Sequence, residues 1–115
     1  RSFTYIDDGI DALEKIILGN ENYLNGRIYN IGNPRSHISI KKLCYKSIKI
    51  FNKLSIKKFN ADVKYIKEDK FYGKKYQDLK IRVPNINRAK KELKWSPVTE
   101  IDQSLIKTIK SYITN

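Results

Sequence analysis

Apolar residues recur at helical spacing in several stretches of this chain, whereas the stretches that alternate between apolar and polar residues are only a few residues long. That combination constrains the fold. Helices with one apolar face can form, but the strands between them make a sheet too small to bury those faces unaided. In "IDDGIDALEKIILGN", Ile10, Leu13, Ile16 and Ile17 lie near one helical face, Asp7 and Asp8 offer an N-cap, and Gly19 is placed to stop the helix. In "SIKKLCYKSIKIFN", Ser39 is the expected cap and Ile40, Leu43, Cys44, Ser47, Ile48 and Phe51 the expected inner side. Pro84 and Asn85 open "INRAKKEL", whose apolar positions are Ile86, Ala89 and Leu93, and Trp95 and Pro97 end it. A Thr99/Asp102 capping box precedes a last helix with Ile101, Leu105, Ile109 and Tyr112 on one side.

Between the helices, Phe3 and Tyr5 share one face of a short alternating start. Ile28, Tyr29 and Ile31 suggest a brief strand closed by Gly32, Asn33 and Pro34, and Val63 and Tyr65 suggest another. The expected order is strand–helix–strand–helix–strand–loop–helix–helix, an α/β arrangement with no repeat or flexible linker. Residues 1–115 read as one domain or one part of a larger domain. The chain starts at Arg1 with no signal-peptide pattern, so it is expected to begin inside a longer one.

Charge is a weaker guide. The net charge is +12, yet 19 of the 24 basic residues are Lys and only five are Arg. Lys, Ile and Asn are the residues that A- and T-rich codons favour, and the lysines are scattered rather than gathered into a stripe that would track a phosphate backbone. The charge therefore does not by itself assign a nucleic-acid partner. No apolar run is long enough to span a bilayer, so membrane insertion is not expected. Cys44 is the only cysteine, which excludes an internal disulfide and suits a reducing cytoplasm. With His37 as the only histidine, the chain argues against a zinc site.

Catalytic patterns are scarce. The glycines (9, 19, 26, 32 and 73) are too dispersed for a dinucleotide or phosphate-binding loop. His37 has no positioned acid, and Cys44 reads as a small core residue. Tyr45/Lys49 and Tyr76/Lys80 have the four-residue spacing by which a lysine can lower a phenol's pKa. With eight tyrosines and 19 lysines, such pairs are expected by chance. The first lies on a surface helix and the second precedes one, so neither is taken as a dyad. What remains is "FYGKKYQDLKIRVPNI", residues 71–86. Tyr76 offers a flat face and a hydroxyl, and Arg82 a planar fork that fits a carboxylate or phosphate with two parallel bonds.

The succession of "RSFTYIDDGIDAL", "IYNIGNP", "SIKKL", "YGKKYQD", an Arg-x-Pro, "NINRAKKELKW" and "TIKSYI" resembles the C-terminal part of extended short-chain dehydrogenase/reductase enzymes that act on nucleotide sugars. Within that superfamily, "YGKKYQD" followed by Arg-x-Pro resembles the UDP-glucuronate decarboxylase domains of the bifunctional polymyxin-resistance type, which also carry a formyltransferase domain. The resemblance covers the whole chain. It implies a C-terminal substrate-binding lobe of a Rossmann-type enzyme, lacking the N-terminal half that binds NAD and carries the family's Tyr-x-x-x-Lys pair. It implies the oxidation and decarboxylation of UDP-glucuronic acid to a UDP-4-keto-pentose, feeding 4-amino-4-deoxy-arabinose modification of lipid A and polymyxin resistance, in a cytoplasmic enzyme that is a homo-oligomer when complete. By the same resemblance Arg1 grips the UDP portion, Tyr76 contacts substrate and Arg82 is the catalytic arginine of decarboxylation. Lys75 departs from the family pattern, which more usually has glycine there, and Lys80 and Ile81 replace more polar neighbours. On its own the chain is expected neither to hold NAD nor to transfer hydride. Other readings are the lobe of a different nucleotide-sugar epimerase or dehydratase, a small basic nucleic-acid-binding module, and an inactive gene remnant.

Overall fold

The computed structural model describes residues 1–20, 24–66, 70–71 and 81–113. Among the described residues are the helices α1 (Ile6–Ile17), α2 (Ile40–Leu54), α3 (Asn87–Glu92) and α4 (Ile101–Ile113), with a 3₁₀ turn at Pro34–Ser36. Ser39 caps α2 as expected, its side chain accepting the Lys42 N–H at 3.2 Å. Pro34 opens the 3₁₀ turn, where its missing N–H costs nothing, and Asn33 Oδ1 accepts from the Arg35 N–H.

The described residues are mostly helical: the short strands expected around Phe3 and Tyr5, at Ile28, Tyr29 and Ile31, and in the described part of "DVKYIKE" (62–66) form no ladder. The pairing that does occur is one antiparallel bridge between Ser2 and His37. Around it, Ile38 N–H donates to the Arg1 carbonyl (2.9 Å), Arg1 N to the Ile38 carbonyl (3.0 Å) and Phe3 N–H to the Ser36 carbonyl (3.2 Å). A strand exists only where a neighbour takes its N–H and C=O groups. At 28–31 side chains take part of that role, and the Arg88 guanidinium donates to the Ile28 carbonyl at 3.1 Å.

The buried apolar core is small: Ala12, Ile86, Ala89, Leu93 and Trp95, with Ile16, Leu24, Tyr29 and Ile31 partly buried against it. Ile86, Ala89 and Leu93 are the face expected of α3. Ala12 on α1 and Ala89 on α3 are fully buried in one cluster with the indole of Trp95. Helix α1 departs from expectation in two ways. It starts at Ile6 behind an uncapped Tyr5, so Asp7 and Asp8 fall in the first turn instead of at the cap. Its inner side is Asp8, Ala12 and Ile16, while Ile10 (54% exposed), Leu13 (58%) and Ile17 (76%) point outward.

Asp8 explains that rotation. It is 5% exposed, and its carboxylate accepts the Thr99 N–H (3.1 Å), the Thr99 hydroxyl (3.1 Å) and the Val98 N–H (3.3 Å). Its main-chain carbonyl accepts the Trp95 indole N–H at 2.9 Å. A buried carboxylate must be hydrogen-bonded, and three donors from one turn of chain supply that. The Thr99 hydroxyl, expected to cap α4, turns to Asp8 instead. Helix α4 in turn packs on α2, where Lys46 pairs with Asp102, and Lys107 reaches back over the Tyr5 ring at 4.7 Å.

The accessible surface is 9483 Å², against about 6,500 Å² for a self-contained monomer of this mass. The radius of gyration is 17.7 Å, against roughly 13 Å for a compact domain of this length.

Two outcomes follow for urea unfolding of this chain. Asp8→Ala strands three donors and should lower stability by about 3 kcal/mol, with Asp8→Asn losing about half as much. Lys94 ends α3 in the left-handed region (φ 53°), letting Trp95 N–H reach the Ala89 carbonyl at 3.3 Å. Lys94→Gly should therefore raise the midpoint, by about 0.5–1 kcal/mol in stability, and an unchanged or lower midpoint would contradict the strain assigned there.

Candidate functional site

Three distant segments meet at one cleft. Residues 1–4, held by the bridge to 36–38, form one wall, the 30–32 turn forms the floor, and residues 82–85 form the opposite wall. The cavity they enclose is about 430 Å³, and Arg1, Ser2, Thr4, Asn30 and Arg82 are among its lining residues. Arg1 and Arg82 thus lie on the same cavity although 80 residues separate them in sequence. Arg1 is half-buried and Arg82 exposed.

The walls are tied together through main-chain carbonyls. The Ser2 hydroxyl donates to the Arg82 carbonyl at 3.0 Å, and the Asn30 amide Nδ2 donates to the Asn85 carbonyl at 3.3 Å. Asn85 Oδ1 accepts the Asn87 N–H at 3.0 Å, fixing the entry to α3. Gly32 sits hard against Pro84: a Cβ there would lie 2.7 Å from Pro84 Cγ, so the floor and the far wall meet only because residue 32 has no side chain. Thr4 Oγ1 accepts the Asn33 N–H at 3.0 Å, which joins the near wall to the same turn.

A larger cavity of about 730 Å³ lies between α1 and the end of α3, lined by Asp11, Glu14, Lys15 and Glu92 among others. Three carboxylates would repel a phosphate or an acidic sugar, so size does not decide in its favour. The smaller cleft is lined by two arginines and by several neutral donors and acceptors. Such a set of residue types suits an anion with hydroxyl groups beside it.

Tyr76, expected to contact substrate, and the departures Lys75 and Lys80 lie in 72–80, outside the described residues. Arg82 and Arg1 are the expected site residues that the structure brings together. Ser2, Thr4 and Asn30 were not singled out by sequence reasoning. Asn30 sits inside the quoted "NIGNP" turn, but nothing in its spacing says that its amide reaches residue 85.

The pair set aside earlier behaves as an ordinary surface pair. Tyr45 is 49% exposed on α2, and its phenol is pushed above the usual tyrosine value, chiefly by its hydrogen bond with Tyr65 (3.5 Å). A proton shuttle needs the opposite shift. Cys44 is half-buried on α2, in keeping with a packing role. Among the described residues no His, Cys, Asp and Glu group could hold a metal ion, and no helix is long and apolar enough to cross a membrane. The glycines among them form no phosphate-cradling loop: Gly9 lies within α1, and Gly26 occupies an isolated left-handed turn (φ 72°). These residues do not fit NAD.

No family model matches the chain. It is 39% identical over 122 aligned residues to the bifunctional polymyxin resistance protein ArnA of Wigglesworthia glossinidia brevipalpis, an alignment covering 100% of this chain and 18% of that protein. Its fold matches the crystal structure of the PbgP3 protein from Burkholderia pseudomallei with a TM-score of 0.73 and 30% identity, covering 100% of this chain and 30% of that one. The chain therefore spans about a fifth of the length of its curated relative. By sequence along its whole length and by the path of its backbone, the chain is the counterpart of one segment of the polymyxin resistance proteins of the ArnA type.

Proposed function

We propose that this chain is the substrate-binding lobe of an NAD-dependent UDP-glucuronic acid decarboxylase. The enzyme makes a UDP-4-keto-pentose for 4-amino-4-deoxy-arabinose modification of lipid A. The observation that carries the proposal is the meeting of Arg1 and Arg82 on one cleft, in a chain whose full length aligns with ArnA. A UDP-sugar acid has two anionic regions, the pyrophosphate and the sugar carboxylate, and two guanidiniums on one rim match that pattern. The outward stripe of Ile6, Ile10, Leu13 and Ile17 and the large surface support a lobe that completes its fold against the rest of an enzyme chain. The described residues do not fit NAD, so in this reading the cofactor, which takes up the hydride, is held elsewhere in the enzyme.

Arg1 in this reading holds the diphosphate, and Tyr76 contacts the substrate. Arg82 acts when the oxidised sugar, a β-keto acid, loses CO2. The electrons of the breaking C–C bond flow into the ketone, and an enolate forms. A fixed guanidinium beside that oxygen stabilises the charge as it develops, more than it stabilises the ketone before reaction. The guanidinium is not itself the proton donor, because its pKa exceeds about 12. It orients a water that delivers the proton to carbon.

Arg82→Ala in the complete enzyme should lower turnover at least about tenfold, which is roughly 1.4 kcal/mol of transition-state stabilisation. Arg1→Ala should instead weaken saturable UDP binding. Kinetics like those of the unaltered enzyme for Arg82→Ala would remove that residue from the mechanism. Product analysis separates this activity from that of another nucleotide-sugar epimerase or dehydratase, because release of CO2 marks the decarboxylase.

A further inference from the structure

Residues 82–85 are tied to other segments of the described structure. The stretch lies between 72–80 and α3 without belonging to a helix, and Ile81, Arg82 and Val83 are all exposed. The anchors that the site geometry provides come from other segments. Ser2 Oγ holds the carbonyl of Arg82 itself, Asn30 Nδ2 holds the carbonyl of Asn85, and Gly32 admits the ring of Pro84. Two of these hydrogen bonds and one steric slot join the wall that carries Arg82 to the rest of the cleft.

Ser2 is the more informative anchor, because it is the neighbour of Arg1. Its own backbone is fixed by the bridge to His37, with hydrogen bonds at Arg1 and Phe3 on either side. A single side chain thus links the backbone carrying one guanidinium to the backbone carrying the other. The backbones that carry the two arginines are joined by Ser2 on one side and by residues 30–32 below.

We infer that Ser2 and Asn30 are positioning residues: by holding the carbonyls of Arg82 and Asn85 they fix Arg82 relative to Arg1, and so set the spacing at which the cleft receives a two-ended anion. This inference rests on the reading of Arg82 as the decarboxylation arginine. Positioning costs little while a ligand binds loosely and matters most at the transition state, where an error of about 1 Å weakens the contact with the developing enolate. Losing either anchor should therefore act on turnover through Arg82. It should not act on substrate affinity.

The test is steady-state kinetics of the complete enzyme with UDP-glucuronic acid, comparing Ser2→Ala, Ser2→Thr, Asn30→Ala and Arg82→Ala, and each alanine variant at 2 and 30 combined with Arg82→Ala. Ser2→Ala and Asn30→Ala should each lower kcat about fivefold with KM unchanged, as expected for loss of one neutral hydrogen bond. Ser2→Thr, which keeps the hydroxyl, should restore kcat. In the Arg82→Ala background neither change should lower kcat further, because the side chain being positioned is gone. A fivefold loss that persists in that background, or a rise in KM alone, would show that Ser2 or Asn30 acts on substrate or stability directly, and would overturn the inference. So would unaltered kcat in both single variants while Arg82→Ala is impaired. If Arg82→Ala itself turns over normally, the functional reading fails first and this inference falls with it.

Discussion

The carboxylate of Asp8 organises this molecule. Its three hydrogen bonds to Val98 and Thr99, and the bond from Trp95 to its main-chain carbonyl, bind the first helix to a run of chain some 90 residues away. From that run the connections spread. Thr99 returns its carbonyl to the buried Asn33 amide at 2.9 Å, and Arg35 reaches the Pro97 carbonyl and the Glu100 carboxylate, each at 2.7 Å. The 30–36 turn is consequently suspended from residues 97–100, which are themselves locked to α1. The floor of the arginine cleft inherits its place from a carboxylate that does not line it.

This is a polar means of holding a fold together, and the sizes of the competing terms explain why it is used. Among the described residues the buried apolar core has five members, two of them alanines. Full burial of an Ile or Leu side chain is worth about 1.5–3 kcal/mol, and α1 keeps Ile6, Ile10, Leu13 and Ile17 largely exposed. Helix α1 thus forgoes on this side a larger apolar gain than the Asp8 contacts return, unless another surface covers the stripe. In the reading proposed above, the rest of the enzyme does so, and the orientation of α1 satisfies two partners at once: Asp8 and Ala12 inward, the isoleucines outward.

The helices were legible in the sequence. Ser39 marked the start of α2, and the Ile86–Ala89–Leu93 spacing gave the buried side of α3. Side selection was not legible for α1, because a hydrophobic stripe announces only that it must be covered and does not name the covering surface. The short strands failed for a related reason: Ile28, Tyr29 and Ile31 have strand character, but a ladder requires a neighbour that the described residues do not supply. At the cleft, Arg1 and Arg82 could be named from the family pattern. Ser2 and Asn30 could not, since their partners are backbone carbonyls, which carry no sequence identity.

Local sequence therefore determined where the chain coils and where Ser39 and Pro34 begin their turns, and the family resemblance pointed to Arg1 and Arg82. Tertiary structure alone decided which face of α1 turns inward, that Thr99 serves Asp8 before its own helix, and that residues 1, 30 and 82 share one cavity. The physical reason is range. Helical periodicity and capping act over a few residues, whereas a buried carboxylate and a hydroxyl on a distant carbonyl find their partners only after the chain has brought them within about 3 Å.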